Sequence, residues 1–315
     1  MRLNIVGLRV NSNFTKNLLS FFFNKLTGKV YTGPFSALEK YSFKNYKVKL
    51  GSDDVLIGTV GCGFCGSDAK ILNYDFSLFS SAFINSQKTK EKYIYLGHEI
   101  LGKVVSVGKN VKNFKIGNLV TIDSMNRNYD LRKNKFGGWS NYLIRDKNQV
   151  IKLKKNKNLN KLYFVEPLAC AIQPTKFTNH RNKKVLIIGM GTIGLCVASV
   201  LRYFFKDKIK IYITSNNFTD LNKIKKNIFD KIFISKDLIE GSARALKTKV
   251  ESKYSNKILK SGFDIIYDCS GSKNIFNKIL RVSGFRSTIF LMSMNMKKVS
   301  IDPTPIWQGE KKIIG

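Results

Sequence analysis

Acidic residues are scarce in this chain. Its 315 residues include 55 Lys and Arg against 21 Asp and Glu, which gives a formal net charge of +34. Such a balance is typical of proteins that bind nucleic acid. The basic residues are spread evenly, however, and no arginine-rich arm or nucleic-acid motif concentrates them. We therefore interpret the charge as a compositional bias and expect no specific nucleic-acid partner.

Cysteines and long apolar runs are also scarce. Five scattered cysteines exclude the disulfide framework of a small secreted protein and favour a reducing, cytoplasmic location. The apolar stretch at residues 18–23 is too short for the core of a signal peptide, and no run reaches the roughly 20 residues that a membrane span needs. We expect a soluble protein with no membrane partner.

Histidine is the rarest candidate for acid–base or metal chemistry, with only two copies. His180 stands in a basic stretch, Asn179-His180-Arg181, where we expect it to be solvated. His98 stands in Gly97-His98-Glu99, next to a carboxylate. The sequence therefore leaves one histidine as a candidate for a functional site.

Hydrophobic patterning predicts two domains of different architecture, and the chain is long enough for both. Residues 46–144 contain short alternating strands with glycine turns, which predict a partly open β-barrel. From residue 183 onward strands alternate with helices, which predicts a doubly wound parallel sheet. We assign residues 1–174 and 175–315 to these domains. Residues 1–35 form a poorly patterned extension in which 18–26 suit a short amphipathic helix.

The secondary structure predicted for the second domain consists of six strands and two helices. The strands are 185–188, 209–214, 231–234, 264–268, 288–292 and 312–314, and the helices are 193–205 and 219–228.

The run Gly61-Cys62-Gly63-Phe64-Cys65-Gly66-Ser67-Asp68 follows a predicted strand and concentrates a thiol, a hydroxyl and a carboxylate. Thiolate is a strong zinc ligand, and a carboxylate can orient a neighbouring imidazole. His98 and Glu166 lie downstream, each in a short motif. A catalytic zinc takes about three protein ligands and keeps one open position. We assign Cys65, His98 and Glu166 as these ligands.

Taken in this order, the motifs resemble the zinc-containing medium-chain dehydrogenases, the superfamily of alcohol, sorbitol and threonine dehydrogenases. The resemblance implies that the first domain is GroES-like and catalytic and that the second is a Rossmann domain. It supports the three ligands of one catalytic zinc, because Glu166 stands in the Glu-Pro-Leu motif of the sorbitol-dehydrogenase-like branch. It also implies a dimer or tetramer.

The same resemblance implies roles for three further side chains. Asp68 would accept a hydrogen bond from the ligating histidine, and Ser67 would relay the proton of the alcohol. Glu99 would be a labile or outer-shell carboxylate beside the metal.

The chain departs from the superfamily's pattern in two places. Residues 123–136 contain no cysteine, where many relatives bind a second, structural zinc with four. We therefore expect one metal ion. The chain also stops on the last strand of the sheet, where relatives return to the catalytic domain. We interpret the sequence as a fragment, or as a member that has lost the return segment.

A glycine motif predicts the nucleotide site. Gly189-x-Gly191-x-x-Gly194 follows a strand and begins a helix, which is the context in which this motif binds a dinucleotide. The cofactor residues that we predict are Gly189, Gly191, Thr192, Ile193, Gly194, Ser215, Asn216 and Ser270. The strand before Ser215 ends without the acid that binds the ribose of NAD. This favours NADP, although Asn216 or Asp220 leaves NAD as the alternative.

These features predict an oxidoreductase that transfers a hydride between an alcohol and NADP or NAD, with zinc polarising the substrate oxygen. Polyols, sugars, amino alcohols and simple alcohols all fit. Two alternatives remain open. One is a zinc-free quinone or enone reductase on the same fold, and the other is a non-catalytic basic binding protein derived from it.

Overall fold

The computed structural model describes residues 1–74, 92–124, 136–154, 158–215, 226–234, 237–253, 256–272, 274–293 and 299–315. The chain divides into two compact units, unit 1 (Met1–Glu166) and unit 2 (Pro167–Gly315). This division lies eight residues before the boundary assigned from the sequence. No helix in the described part of the chain is long and apolar enough to cross a membrane.

Unit 1 is mainly β-structure. Its elements are β1 (Arg2–Asn11), α1 (Phe14–Thr27), β2 (Leu38–Lys47), β3 (Asp54–Cys62), α2 (Gly66–Leu72), β4 (Tyr93–Tyr95), β5 (Ile100–Val107), β6 (Leu119–Ile122), β7 (Tyr142–Asp146), β8 (Val150–Lys152) and the start of α3 (Val165–Ile172). One antiparallel sheet has the order β7-β3-β5-β6-β8, and a smaller one has the order β2-β1-β4. The sequence prediction of several antiparallel strands is confirmed.

The larger sheet brings two distant parts of the sequence together. Strands β3 and β5 pair in a register that places Cys62 opposite Ile100. Because the pair is antiparallel, the end of β3 lies beside the start of β5. Buried side chains such as Val55, Ile57 and Val104 fix this register, since a slip of one residue would turn them out of the core. The loop after β3 therefore lies next to the residues that precede β5.

Helix α1 and strand β1 form most of the segment that the sequence left unplaced. The side chain of Asn13 accepts a hydrogen bond from the Lys16 N–H at 3.1 Å and caps the helix. Gly28, at φ +67°, ends it in the left-handed conformation that favours glycine. The helix predicted at 18–26 is present and longer, but its polar side faces the unit.

Unit 2 is an α/β structure. After α3 it contains β9 (Lys183–Ile188), α4 (Thr192–Phe205), β10 (Ile209–Thr214), β11 (Lys231–Phe233), α5 (Leu238–Leu246), β12 (Val250–Lys253), β13 (Asn256–Leu259), β14 (Phe263–Asp268), α6 (Phe276–Val282), β15 (Ser283–Leu291), α7 (Thr304–Gln308) and β16 (Lys312–Ile314). Six parallel strands have the order β11-β10-β9-β14-β15-β16. This is the strand order of a doubly wound sheet, so the predicted fold class is confirmed.

Each face of this sheet carries its own apolar core. Val185 and Ile187 of β9 pack with α4, while Leu186 and Ile188 pack with α5 and α6. Successive strand residues point to opposite faces, so a run of apolar residues is what a strand buried on both faces requires.

His180 corrects one expectation from the sequence. It is fully buried rather than solvated. Its ring stacks near Phe205 and Phe290, with ring centres 5.0 and 6.4 Å away. Nδ1 lies 2.9 Å from the carbonyl oxygen of Thr178, and Nε2 lies 2.5 Å from the hydroxyl of Tyr267. The polar neighbours of His180 in the sequence gave no sign of this packing.

Other differences concern element boundaries. Residues 48–50, predicted as strand, follow the end of β2, and β15 begins at Ser283, before the predicted residue 288. The predicted helix 219–228 lies outside the described residues except for a 3₁₀ turn at Lys226–Ile228. The sequence also did not predict α5, α6 or the antiparallel pair β12–β13.

Candidate active site

The cysteine loop connects β3 to α2. Cys65 is extended (φ −82°, ψ 151°) and stands at the N-terminal cap of α2. Its N–H donates to Oδ2 of Asp68 at 3.2 Å. Asp68 is 2% exposed. The carboxylate in the first turn of the helix thus fixes the backbone that presents the thiol.

The same carboxylate also holds the histidine segment. The N–H of Gly97 donates to Oδ1 of Asp68 at 3.1 Å, and this oxygen lies 3.8 Å from Nδ1 of His98. Gly97 has φ +85°, a conformation that favours glycine. Asp68 therefore connects α2 to the residues before β5. The distance of 3.8 Å is an electrostatic contact and longer than a hydrogen bond, so the bond predicted between these side chains stays a prediction.

Ser67 lies on the other side of the imidazole. Its Oγ is 3.5 Å from Nε2 of His98. Because the acidic Asp68 faces Nδ1, it favours the tautomer with the proton on Nδ1. In the neutral imidazole the lone pair of Nε2 then lies on the side of Ser67.

Glu99 lies close to the cysteine loop and is 7% exposed. Its carbonyl oxygen accepts the N–H of Gly63 at 2.8 Å. A Cβ atom on Gly63 would collide with Oε2 of Glu99. The absence of a side chain at Gly63 therefore makes room for the carboxylate, a role that the sequence analysis did not assign to this glycine.

Three side chains offer ligand atoms to one point. One ligand atom each of Cys65, His98 and Glu99 lies within 4.8 Å of the others. The donor set of a thiolate, an imidazole and a carboxylate suits a catalytic zinc that keeps an open position. Glu166, at the start of α3, is not in this group, although its charge adds to the effect of burial in raising the pKa of Glu99. Its assignment as a ligand stays a prediction.

Acidic side chains surround His98, although the chain as a whole is basic. A hydrogen bond to His98 lowers the pKa of the Cys65 thiol, and the same bond raises the pKa of His98 to about 9. Burial and the charge of Glu166 raise the pKa of Glu99. Acidic groups crowded around one imidazole attract a cation.

An aromatic pair lies beside the thiol. Phe64, one residue before Cys65, stacks on Trp139 with ring centres 5.3 Å apart. A Cβ atom on Gly97 would lie 2.5 Å from the Trp139 ring. The glycine-aromatic run at 137–144 signalled a strand of the domain, but the sequence gave no partner for this tryptophan.

Unit 2 contains a cavity of about 590 Å³ at the carboxyl ends of β9, β10 and β14. The chain runs outward from β9 through β10 to β11 and then crosses to β14 on the other side of β9, so this is the point where the strand order reverses. Open α/β sheets bind ligands at such a point. The cavity therefore has the position of a nucleotide site.

Gly189 and Gly191 line this cavity before α4 begins. Gly189 has φ +102°, and a Cβ atom on Gly194 would collide with its carbonyl oxygen. Gly191 is the N-cap of α4; among the described residues no side chain caps the helix, and its first turn contains no acid. Such a helix N-terminus suits a phosphate.

The remaining predicted cofactor residues divide into three groups. Ser215 and Ser270 line the cavity, and the Ser270 hydroxyl donates to Oδ1 of Asp268 at 2.7 Å. Thr192 and Ile193 form the first turn of α4. Asn216 lies outside the described residues.

Comparison with known proteins agrees with this architecture. Residues 51–155 match the alcohol dehydrogenase GroES-like domain family. The L-threonine 3-dehydrogenase of Aliivibrio fischeri strain MJ11 is 24% identical over 273 residues, which cover 81% of this chain and 74% of that protein.

Two solved structures of dehydrogenases align with nearly the whole chain. A protein described as a zinc-binding dehydrogenase from Sinorhizobium meliloti 1021, bound to NADP, aligns with a TM-score of 0.71 at 18% identity, over 99% of this chain and 84% of its own. The 2R,3R-butanediol dehydrogenase of Bacillus subtilis aligns with a TM-score of 0.70 at 19% identity, over 98% of this chain and 83% of its own.

Fold and site together define a two-unit protein in which a GroES-like unit precedes a doubly wound parallel sheet. The comparisons support the resemblance of this chain to the medium-chain dehydrogenase/reductase superfamily. The resemblance seen in the sequence is thereby confirmed.

Proposed function

We propose that this chain is a zinc-dependent oxidoreductase that transfers a hydride reversibly between an alcohol and a nicotinamide cofactor. The observation that carries the proposal is the convergence of Cys65, His98 and Glu99 within 4.8 Å. The names of the relatives support it, since an L-threonine 3-dehydrogenase and a butanediol dehydrogenase both act on hydroxyl-bearing substrates. We place the substrate among polyols, sugars and amino alcohols.

The metal assignment follows from the donor set. Cys65 and His98 supply the thiolate and the imidazole, and Glu99 is the carboxylate with an oxygen within 4.8 Å of both ligand atoms. We propose Glu99 as the third donor and Glu166 as the adjacent carboxylate. A zinc ion held by these residues would supply Lewis acidity, which would lower the pKa of an alcohol hydroxyl.

Two neighbours of His98 have separate tasks in this mechanism. Asp68 faces Nδ1 and keeps Nε2 available as the donor atom. Ser67 has its hydroxyl 3.5 Å from Nε2. We assign Ser67 to accept the proton that leaves the substrate hydroxyl and to pass it toward solvent.

The cavity in unit 2 suits a phosphorylated cofactor. Of the described residues that line it, none is acidic and one, Lys278, is basic. An acid that would bind the ribose 2′-hydroxyl of NAD is absent from Thr214 and Ser215, where β10 ends. Serine and lysine tolerate or attract a 2′-phosphate, so we propose NADP as the preferred cofactor and NAD as the weaker one.

The test measures zinc content and turnover together. The zinc-loaded protein is screened with alcohols in the presence of NADP or NAD, and the variants Cys65→Ser and Cys62→Ser are compared. We expect Cys65→Ser to lose the zinc and to lose about three orders of magnitude in kcat/KM. Cys62→Ser is the matched control, because it lies three residues away and outside the ligand group.

Two further variants identify the third donor. We expect Glu99→Gln to weaken zinc binding more than Glu166→Gln does. The reverse order would restore the assignment made from the sequence. Full alcohol turnover in Cys65→Ser would overturn the zinc mechanism, and reduction of enones without zinc would support the alternative reductase. Nucleotide binding without any turnover would support a non-catalytic protein.

A further inference from the structure

Helix α1 has its polar side turned into unit 1. Asn17, Ser20 and Asn24 are buried. The amide of Asn17 donates to the carbonyl oxygen of Asn11 at 2.7 Å, and the amide of Asn24 donates to that of Leu72 at 2.8 Å. The Ser20 hydroxyl accepts the N–H of Ala37 at 2.9 Å. These bonds fix the rotation of the helix, because buried polar groups need their partners.

The opposite side of α1 is apolar and exposed. Phe14, Leu18, Phe22 and Leu26 follow one another at intervals of four residues and are 69%, 55%, 62% and 72% exposed. Leu19 extends this surface. We name these five residues the α1 patch. Contiguous exposed apolar surface on a folded protein marks a site of interaction.

The surroundings of the α1 patch are basic. The first 38 residues contain five Lys and Arg and no Asp or Glu. Lys25 and Lys29 are exposed beside the C-terminal end of the helix. Lys16 is held by an ion pair with Glu39 at 2.6 Å. The patch thus combines apolar side chains with positive charge, which is the pattern of helices that lie in a membrane interface.

We propose that α1 docks unit 1 on the surface of an anionic phospholipid bilayer. The apolar side chains would enter the boundary between head groups and acyl chains, and Lys25 and Lys29 would contact lipid phosphates. A charge of +34 attracts the chain to such a surface. This departs from the sequence-based expectation of no membrane partner.

A second copy of the chain fits the α1 patch less well. A helix of 14 residues is about 21 Å long, so one helix pair covers less than the roughly 1,000 Å² that a stable interface needs. Two chains of charge +34 also repel each other, whereas an anionic bilayer attracts each of them.

The test is vesicle co-sedimentation of the full chain. Vesicles of phosphatidylcholine with phosphatidylserine are compared with phosphatidylcholine alone, at physiological salt. We expect binding to the anionic vesicles and a loss of at least about tenfold in partition for the double variant Leu18→Ser/Phe22→Ser. The double variant Lys25→Gln/Lys29→Gln should lose about fivefold or more.

Phe285→Ser is the matched control, because Phe285 is 63% exposed and lies in unit 2. It should bind vesicles like the unchanged chain. A second readout places a fluorophore in the patch: Phe22→Trp should be quenched by lipids brominated on the acyl chain. Both readouts are independent of turnover, so they stand apart from the proposed enzymatic function.

Three outcomes would overturn the proposal. Equal binding by Leu18→Ser/Phe22→Ser would leave only bulk charge as the cause. Unquenched Phe22→Trp fluorescence on bound vesicles would place the helix away from the bilayer. A dimer that dissociates on Leu18→Ser/Phe22→Ser, with no vesicle binding, would assign the patch to a second copy.

Discussion

The two histidines of this chain occupy opposite kinds of environment. His98 lies in unit 1 among a thiol and acidic side chains, and its hydrogen bond to Cys65 raises its pKa to about 9. His180 lies in unit 2 between aromatic rings, and burial lowers its pKa to about 4. One ring faces charged groups that gather at a point, and the other is enclosed with two neutral hydrogen-bond partners.

The difference shows that the neighbours of a histidine decide its role. The imidazole of His180 is neutral and satisfied, with Nδ1–H donating to Thr178 and Nε2 accepting from Tyr267. It stabilises the fold and has no free donor atom. His98 has an acid on its Nδ1 side and ligand atoms of two other side chains within 4.8 Å. Only the second arrangement can bind a metal ion.

The largest expected effect is the difference between a variant of His98 and a variant of His180. We expect His98→Gln to lose bound zinc and about three orders of magnitude in kcat/KM, because a donor is removed from the ligand group. His180→Gln should keep the zinc. It should lower the free energy of unfolding by about 2–3 kcal/mol, since the stacked ring is lost. Metal analysis, turnover and thermal unfolding measure these effects.

The opposite outcome for the two variants would contradict the roles assigned to His98 and His180. If His180→Gln released the zinc while its fold stayed intact, the buried ring would belong to the metal site. If His98→Gln unfolded the protein, the charged cluster would be a structural core.

The next effect is the pH dependence of stability that His180 produces. Its pKa is about 4 in the folded chain and about 6.5 in an unfolded one, so the unfolded chain binds the proton first as the pH falls. Stability from this group is complete above pH 6.5 and is lost between pH 6.5 and 4. The total loss is on the order of 3 kcal/mol.

Denaturant unfolding between pH 7 and 5 measures this loss. The difference in slope between the chain and His180→Gln isolates the histidine, because both proteins share all other titrating groups. Identical slopes would show that the ring titrates normally in the folded protein.

The prediction for His180 was wrong for a physical reason, while the assignment of His98 as a ligand stays a prediction. The motifs that contain Cys65 and His98 are each short and recognisable in the sequence, and the pairing of β3 with β5 then brings them together. The environment of His180 is made by Phe205, Tyr267 and Phe290, which are distant in the sequence. Tertiary packing of this kind leaves no local signal.

The lack of a local signal for tertiary packing also explains what the sequence missed at Glu99 and in helix α1. Glu99 and Glu166 are both acids in short motifs, and only the fold places Glu99 within the ligand group. The periodicity at residues 18–26 indicated a helix, but side-chain hydrogen bonds turned its polar face inward. The central strand of the parallel sheet was easier to predict, because Val185–Ile188 is a continuous apolar run.

A smaller effect on zinc affinity tests whether Glu99 must lie where it is observed, beside His98. Gly63→Ala places a methyl group where Oε2 of Glu99 lies, so the carboxylate must move away from the ligand group. We expect zinc affinity to fall by about 10–100-fold without unfolding. Gly66→Ala is the matched control, because a Cβ atom there meets nothing within 4 Å. Equal zinc affinity in both variants would show that Glu99 is not needed in its observed place.

The smallest expected effect is a change in cofactor preference. The nucleotide cavity of unit 2 differs from the His98 site in being formed largely by backbone. Ser215 lines the cavity of unit 2 at the end of β10. Ser215→Asp would introduce the acid that binds a ribose 2′-hydroxyl and would repel a 2′-phosphate. We expect kcat/KM for NADP to fall about tenfold and that for NAD to rise. Ser215→Asn is the uncharged control and should keep the preference. An unchanged ratio in Ser215→Asp would mean that the ribose lies elsewhere, so that the end of β10 does not set the preference for NADP.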